Sequence, residues 1–271
     1  MIKLPPNLLI KGFRRFHTIY IAAAIGITLS VSLLVTRWVV HADTPMTAAA
    51  YAADPSAMIE AYRRVEVDSV SDAIEQLLHE KRYMSHTMRP IFPAKFVGIA
   101  LTVQLVKQEN NIPHALSGVV KAVDTGERNS VFVMNAPDGA DIAEMGGLMG
   151  TAMLARGFTG AVIDGGVRDL PELKKIGFPV FAIGVVPSAS DGHYRFGASN
   201  VPVTCGGVLV HPGDIISADE DGVVVVPREQ AGQVLVLAQK LDFREHSLYP
   251  YIAKYHSMEE AGQELSKLVR F

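Results

Sequence analysis

The stretch from Gly146 to Asp169, GGLMGTAMLARGFTGAVIDGGVRD, constrains this chain more than any other. It reads as a glycine-rich turn, a helix over 146–156, a short apolar strand over 158–164 and a loop closing on an Arg-Asp pair. A strand this uniformly apolar is buried on both faces, which places it inside a sheet covered by other layers. Glycines at a helix start let a ligand reach backbone N–H groups, and the helix dipole favours an anion there. Arg168 can fork onto a carboxylate or enolate oxygen, and Asp169 can ligate a hard divalent cation. The residues point to a site for a metal ion and a small carboxylate. Each half also has a plainer role. The glycines would serve as a close packing point between helix and strand. Asp169 would cap the turn before Pro171, with Arg168 as its surface ion pair.

Helical spacing covers 56–64 and 69–79, with Asp54 as N-cap of the first and an Ala-rich linker over 47–55. Strands are expected at 96–104, 130–135, 180–185, 201–204, 208–210, 215–218 and 222–226, while 119–124 reads as a strand or a helix. A short helix at 172–176 stops at Gly177. A long amphipathic one runs from Arg228 to about His246, and a last one covers 258–269. The strands crowd the middle of the chain without alternating strictly with helices. That pattern favours a mixed α/β domain with helices layered on a sheet over a doubly wound fold.

Charge and composition narrow the function. The net charge of −3 leaves no basic footprint for nucleic acid. The single cysteine, Cys205, rules out an intramolecular disulfide framework or a cysteine metal cluster and reads as a small core residue. His79, His86 and His114 show no zinc spacing, and His193 reads as a solvated loop residue. GxSxG, Walker and GxGxxG elements are absent. Asp219, Glu220 and Asp221 lead into Gly222 between two apolar runs, and read as a hairpin turn rather than a metal cluster.

At the N-terminus, Lys3, Lys11, Arg14 and Arg15 precede an uncharged stretch over 18–36. At about 1.5 Å per residue this stretch comes close to the roughly 30 Å hydrocarbon core of a bilayer. The basic flank favours keeping the N-terminus in the cytoplasm and sending the rest across. Val40-His41-Ala42 resembles a cleavage site, so residues 1–45 are expected to be a signal peptide or an uncleaved membrane anchor plus linker. The protein is then membrane-anchored or exported to the periplasm. Arg14-Arg15 lacks the usual surroundings of a twin-arginine signal. Translation from Met46 would instead give a cytoplasmic protein. The catalytic domain is expected over 46–271.

The blocks VDSVSDAI (67–74), GGLMGTAMLARGFTGAVIDGGVRD (146–169), NVPVTCGGVLVHPGD (200–214) and ADEDGVVVVP (218–227) occur in one order and spacing. Over about 67–228 the chain resembles the RraA-like superfamily, which includes the 4-hydroxy-4-methyl-2-oxoglutarate / 4-carboxy-4-hydroxy-2-oxoadipate aldolases. The resemblance implies an α/β fold of the swivelling β/β/α kind, preceded here by the N-terminal export or anchor helix. It implies a homotrimer or a hexamer of two trimers, with sites between subunits. Gly146, Gly147, Leu148 and Met149 would receive the carboxylate of an oxo-acid substrate on their N–H groups. Arg168 would contact the keto or enolate oxygen, and Asp169 would bind Mg²⁺ or Mn²⁺ with water completing the shell. The implied reaction is retro-aldol cleavage of a 4-hydroxy-2-oxo acid to pyruvate, with oxaloacetate decarboxylation as a side activity through the same enolate. No side chain is nominated as base, and metal-associated water would take that part.

One position departs from the family pattern. Gly147 stands where aldolases of the superfamily often carry an acid that supports the metal through water. Glu144, Asp141 or a neighbouring subunit's copy of Glu245 would be the substitutes. The competing reading is a non-catalytic RraA-like regulator that binds protein, or a keto-acid binding protein. The superfamily's namesake lacks the Asp of the Arg-Asp pair, whereas this chain keeps Arg168-Asp169, which favours the enzyme.

Overall fold

The computed structural model describes residues 46–109 and 112–268, and residues 47–271 form one compact unit. The apolar stretch 18–36, with the signal or anchor expected there, lies outside the described residues. Among those described, no helix is long and apolar enough to cross a membrane.

The strands are β1 (Arg89–Pro90), β2 (Phe96–Lys107), β3 (Ser130–Asn135), β4 (Ala143–Met145), β5 (Gly160–Val167), β6 (Val180–Val185), β7 (Tyr194–Ser199), β8 (Val203–Cys205), β9 (Val208–Val210), β10 (Ile215–Asp219) and β11 (Gly222–Val226). The helices are α1 (Ala48–Ala53), α2 (Pro55–Tyr62), α3 (Val67–Leu78), α4 (Ser117–Asp124), α5 (Gly147–Arg156), α6 (Leu170–Ile176), α7 (Ala231–Tyr255) and α8 (Met258–Leu268).

Nine strands form one mixed sheet in the order β1-β6-β5-β3-β2-β10-β11, with β4 beside β5 and β7 beside β2. The centre is parallel: β2 pairs β3, β3 pairs β5, and β5 pairs β6. Because β2 is twelve residues long, it holds β10 antiparallel along its first half and β7 along its second. The remaining hairpin, β8–β9, lies over one face, where Val203, Cys205, Val208 and Val210 pack with Val131, Val133, Val162 and Phe181. On the other face Val119 and Val123 of α4, Met153 of α5 and Leu173 of α6 pack on Phe132, Met134, Ala161 and Ile163. Central strands with every position covered explain the unbroken apolar runs in the sequence. The mixed sheet with layered helices agrees with the expected fold class.

Residues 119–124, open between strand and helix in the sequence, belong to helix α4, whose Val119, Ala122 and Val123 share one buried face. Three segments differ from expectation. The linker expected over 47–55 is largely helix: Thr47 Oγ1 accepts from Ala50 N at 3.2 Å to cap α1, and Tyr51 is buried, its hydroxyl bonded to Gln239 Nε2 of α7 at 3.1 Å. An alanine run carries no polar–apolar pattern, so its one buried anchor, Tyr51, is easily missed. Tyr194–Ser199, not among the expected strands, forms β7. The long helix runs on to Tyr255, carrying Pro250 on an exposed stretch instead of ending near His246. Asp54 does cap α2, accepting from Ala57 N at 3.0 Å. The 219–221 acids form the β10–β11 turn, where Asp219 accepts from Asp221 N at 3.0 Å and from Val67 N at 3.1 Å.

Candidate active site

The glycine turn and the Arg-Asp pair meet because β4 and β5 run side by side. Their register sets Ala143 beside Gly166 and Met145 beside Val167, and Arg168 N donates to Met145 O at 3.0 Å. The two strands therefore deliver Gly146 and Arg168 to the same end of the sheet, where strand ends carry ligands in α/β proteins.

Gly146 is extended, with φ −148° and ψ −167°, and leads directly into α5. A Cβ at this position would stand 2.5 Å from Asp169 Oδ2 and 3.1 Å from Arg168 Cγ, so a side chain would collide with the pair. Asp169 has a φ of 60°, a left-handed conformation that side chains rarely adopt. That turn ends β5, starts α6 and swings the carboxylate back over the glycines. Asp169 Oδ2 accepts from Gly147 N at 3.0 Å and lies 3.8 Å from Arg168 Nε. Its Oδ1 has no partner among the described residues. Arg168 Nη1 donates to Ser188 O at 3.1 Å. Ser188 Oγ in turn accepts from Ala143 N at 3.0 Å and donates to Asp141 O at 3.2 Å, bracing the loop after β6 against β4.

The N–H donors expected to serve a substrate carboxylate divide into two kinds. Gly147 N–H is occupied by Asp169. Leu148 and Met149 stand in the first turn of α5, where N–H groups have no carbonyl within the helix. Leu148 is 89% exposed and Met149 packs on the core beneath. The side chains of Arg168 and Asp169 are 44% and 48% exposed. Three cavities of the chain are lined by other residues. In a single chain the site is thus an open shelf.

The acid absent at position 147 has a neighbour that the sequence did not single out. A Cβ on Gly147 would lie 3.2 Å from Cβ and Cγ of Glu172, in the first turn of α6. Glu172 also pairs with Lys175 at 3.3 Å. Its signal was available in Asp169-x-x-Glu172, the spacing that sets an acid three residues after a helix cap. The three substitutes weighed from sequence lie differently. Glu144 points inward between Gly139 and Gly165, 7% exposed, with both carboxylate oxygens lacking a hydrogen-bond partner among the described residues. Burial pushes its carboxyl up to about 8. Asp141 belongs to a 3₁₀ turn, and Glu245 accepts from the Tyr249 hydroxyl at 2.7 Å on the exposed part of α7. His193 pairs with Glu109 at 2.9 Å, and Cys205, in β8 of the hairpin, is fully buried.

Among the described residues no three His, Cys, Asp or Glu side chains converge on one point. A cation at Asp169 would rest on that carboxylate with water in its other positions. Magnesium tolerates such a shell, whereas zinc usually demands three or four protein ligands.

The sequence model of the RraA-like family, described as Aldolase/RraA, matches residues 67–225. The chain belongs to this family. As an Aldolase/RraA protein it is 33% identical over 183 residues to a protein of Halalkalibacterium halodurans provisionally named 4-hydroxy-4-methyl-2-oxoglutarate aldolase, covering 67% of this chain and 82% of that one. Among solved structures, an uncharacterized protein from Pseudomonas syringae superposes with a TM-score of 0.70 at 26% identity, covering 77% of this chain and 93% of that one. Streptomyces coelicolor RraAS2, described as an unusual member of the RNase ES inhibitor RraA protein family, superposes with a TM-score of 0.64 at 26% identity, covering 70% and 94%. Relatives named for an aldolase and for an RNase ES inhibitor thus both resemble this chain, and the site must decide between the two readings.

Proposed function

We propose that this Aldolase/RraA protein is a divalent-metal-dependent aldolase that cleaves a 4-hydroxy-2-oxo acid and releases pyruvate. The reading rests on one juxtaposition: the Asp169 carboxylate, the Arg168 guanidinium and the start of α5 on one shelf. The aldolase name carried by the Halalkalibacterium halodurans relative supports it.

The N–H groups of Leu148 and Met149, at the positive end of α5, would hold the substrate carboxylate. Arg168, held by Ser188, would present its free face to the C2 oxygen, where negative charge develops as the C3–C4 bond breaks. Asp169 would hold Mg²⁺ or Mn²⁺, which when bound supplies further charge stabilisation for an enolate. Gly147 N–H fixes Asp169 Oδ2 and leaves Oδ1 directed elsewhere. Glu172, packed beside Gly147, is a carboxylate able to take up the proton lost from the C4 hydroxyl. Oxaloacetate decarboxylation would run through the same enolate.

The open shelf favours a homotrimer in which a second subunit closes the site over substrate, consistent with water-excluding active sites in general. The apolar composition of segment 18–36 favours the membrane or the periplasm, and N-terminal sequencing of the mature protein tests that reading.

A pyruvate-coupled assay over a panel of 4-hydroxy-2-oxo acids tests the activity. Turnover is expected with Mg²⁺ or Mn²⁺, absent with a chelator, and absent in Asp169→Ala. Metal-independent turnover, or none on any member of the panel, would sink the proposal.

A further inference from the structure

Away from the shelf, a cavity of about 400 Å³ opens between the end of α3, the turn before β10 and the link from β11 to α7. Arg82, Arg228 and His211 line it, together with Glu80, Glu229 and Asp214. The carboxylates meet the positive groups loosely, His211 Nδ1 lying 3.8 Å from Asp214 Oδ2. Asp214, 2% exposed, is committed to the wall: Oδ2 accepts from His211 N at 2.9 Å and Oδ1 from Arg228 N at 3.2 Å. Glu80 and Glu229 are exposed, so solvent screens them.

Arg82 is the informative residue. Its backbone is pinned, with its carbonyl accepting from Val225 N at 2.9 Å. Its side chain is only 15% exposed, and Glu80 Oε2 stands off at 3.8 Å. The Nε is buried with no hydrogen-bond acceptor among the described residues. Leaving such a donor unmet is destabilising, more so for a charged group. Arg228 lies over Gly213, whose φ of +91° lets the turn pass close beneath the guanidinium, 3.2 Å from Nη1 to where a Cβ would sit. Arg228 makes no ion pair among the described residues. The 25-residue helix α7 begins at the same wall with no side-chain cap from Gln230, so its positive end adds to the field. Two guanidiniums line one cavity, and a shared oxyanion offsets their like charge.

We propose that this cavity binds a small oxyanion, a phosphate or carboxylate group, between Arg82 and Arg228 with His211 at its rim. The volume suits a small metabolite rather than a bare ion, and the site is separate from Arg168 and Asp169.

Titration calorimetry of the full chain with inorganic phosphate and with malonate tests this. Saturable one-site binding is expected for at least one probe, weakened at least tenfold in Arg82→Gln and in Arg228→Gln and retained in Arg168→Ala. Phosphate binding without malonate assigns the phosphate source, and the reverse assigns the carboxylate. Arg228 is exposed, so its variant folds even where Arg82→Gln does not. No saturable binding of either probe, binding that survives Arg228→Gln, or binding lost in Arg168→Ala overturns the proposal. None of these outcomes depends on aldolase activity.

Discussion

At the scale of the residue, the candidate site is organised by what side chains cannot do. Gly146 leaves room for the Asp169 carboxylate, and Asp169 accepts a φ of 60° to place it. Gly146→Ala is therefore expected to displace Asp169 and raise the metal concentration needed for half-maximal activity. Arg168 contributes a planar fork as well as charge. Arg168→Lys keeps the charge and loses the fork, and kcat is expected to fall by about 10²–10³, as for the loss of one oriented donor to a developing oxyanion. An unchanged kcat in steady-state assays would remove Arg168 from the chemistry. Both residue types were legible in the sequence because each has few other reasons to sit after a buried strand. Ser188 was not, since its part arises from a carbonyl in a distant loop, and Glu172 showed only as an acid three residues after a helix cap, not as a neighbour of Gly147.

Glu144 gives a residue-scale prediction on stability. Burial raises its pKa in the folded protein to about 8 from an ordinary value of 4.5. The folded state thus binds the proton more tightly than the unfolded one. Stability is undiminished below pH 4.5 and falls as pH rises from there to about 8. Glu144→Gln is expected to flatten that slope and to stabilise the protein by a few kcal/mol above pH 8, on the order of one strongly shifted group. Urea unfolding at pH 5, 7 and 9 measures it, and parallel slopes for the two proteins would contradict it.

At the scale of the element, apolar runs announced the central strands because burial on both faces leaves no other composition. Elements whose burial is partial were harder to read. Strand β7 has only Tyr194 fully buried, and its register along β2 depends on a partner about ninety residues away. Helix α1 is defined by a cap and one tyrosine. The β10–β11 hairpin was read correctly as a turn, but its structural tie was not visible: Asp219 joins the hairpin to the start of α3 through Val67 N. Asp219→Ala leaves that buried donor unmet and is expected to cost about 1–3 kcal/mol in thermal or urea unfolding. A change within experimental error would show that water replaces the bond.

At the scale of the whole molecule, the elements that carry the shelf also carry unburied apolar side chains. Leu148 and Leu154 on α5 and Ile183 and Val185 on β6 are exposed, as expected for a surface that meets a second copy. With a site closed by assembly, activity per chain falls on dilution in step with the loss of oligomer seen by light scattering. A fully active monomer would contradict the homotrimer. The family was readable from four ordered blocks of sequence. The open shelf was not, because exposure is a property of the folded surface.

Exchange of the pyruvate methyl protons in deuterated buffer, followed by proton NMR, reports on an enolate formed at Arg168 and Asp169. Wild-type protein with Mg²⁺ or Mn²⁺ is predicted to exchange them well above the buffer rate, and Arg168→Ala and Asp169→Ala to return exchange to that rate. Wild-type exchange no faster than buffer, or exchange undiminished in either variant, would contradict an enolate-stabilising site on this shelf.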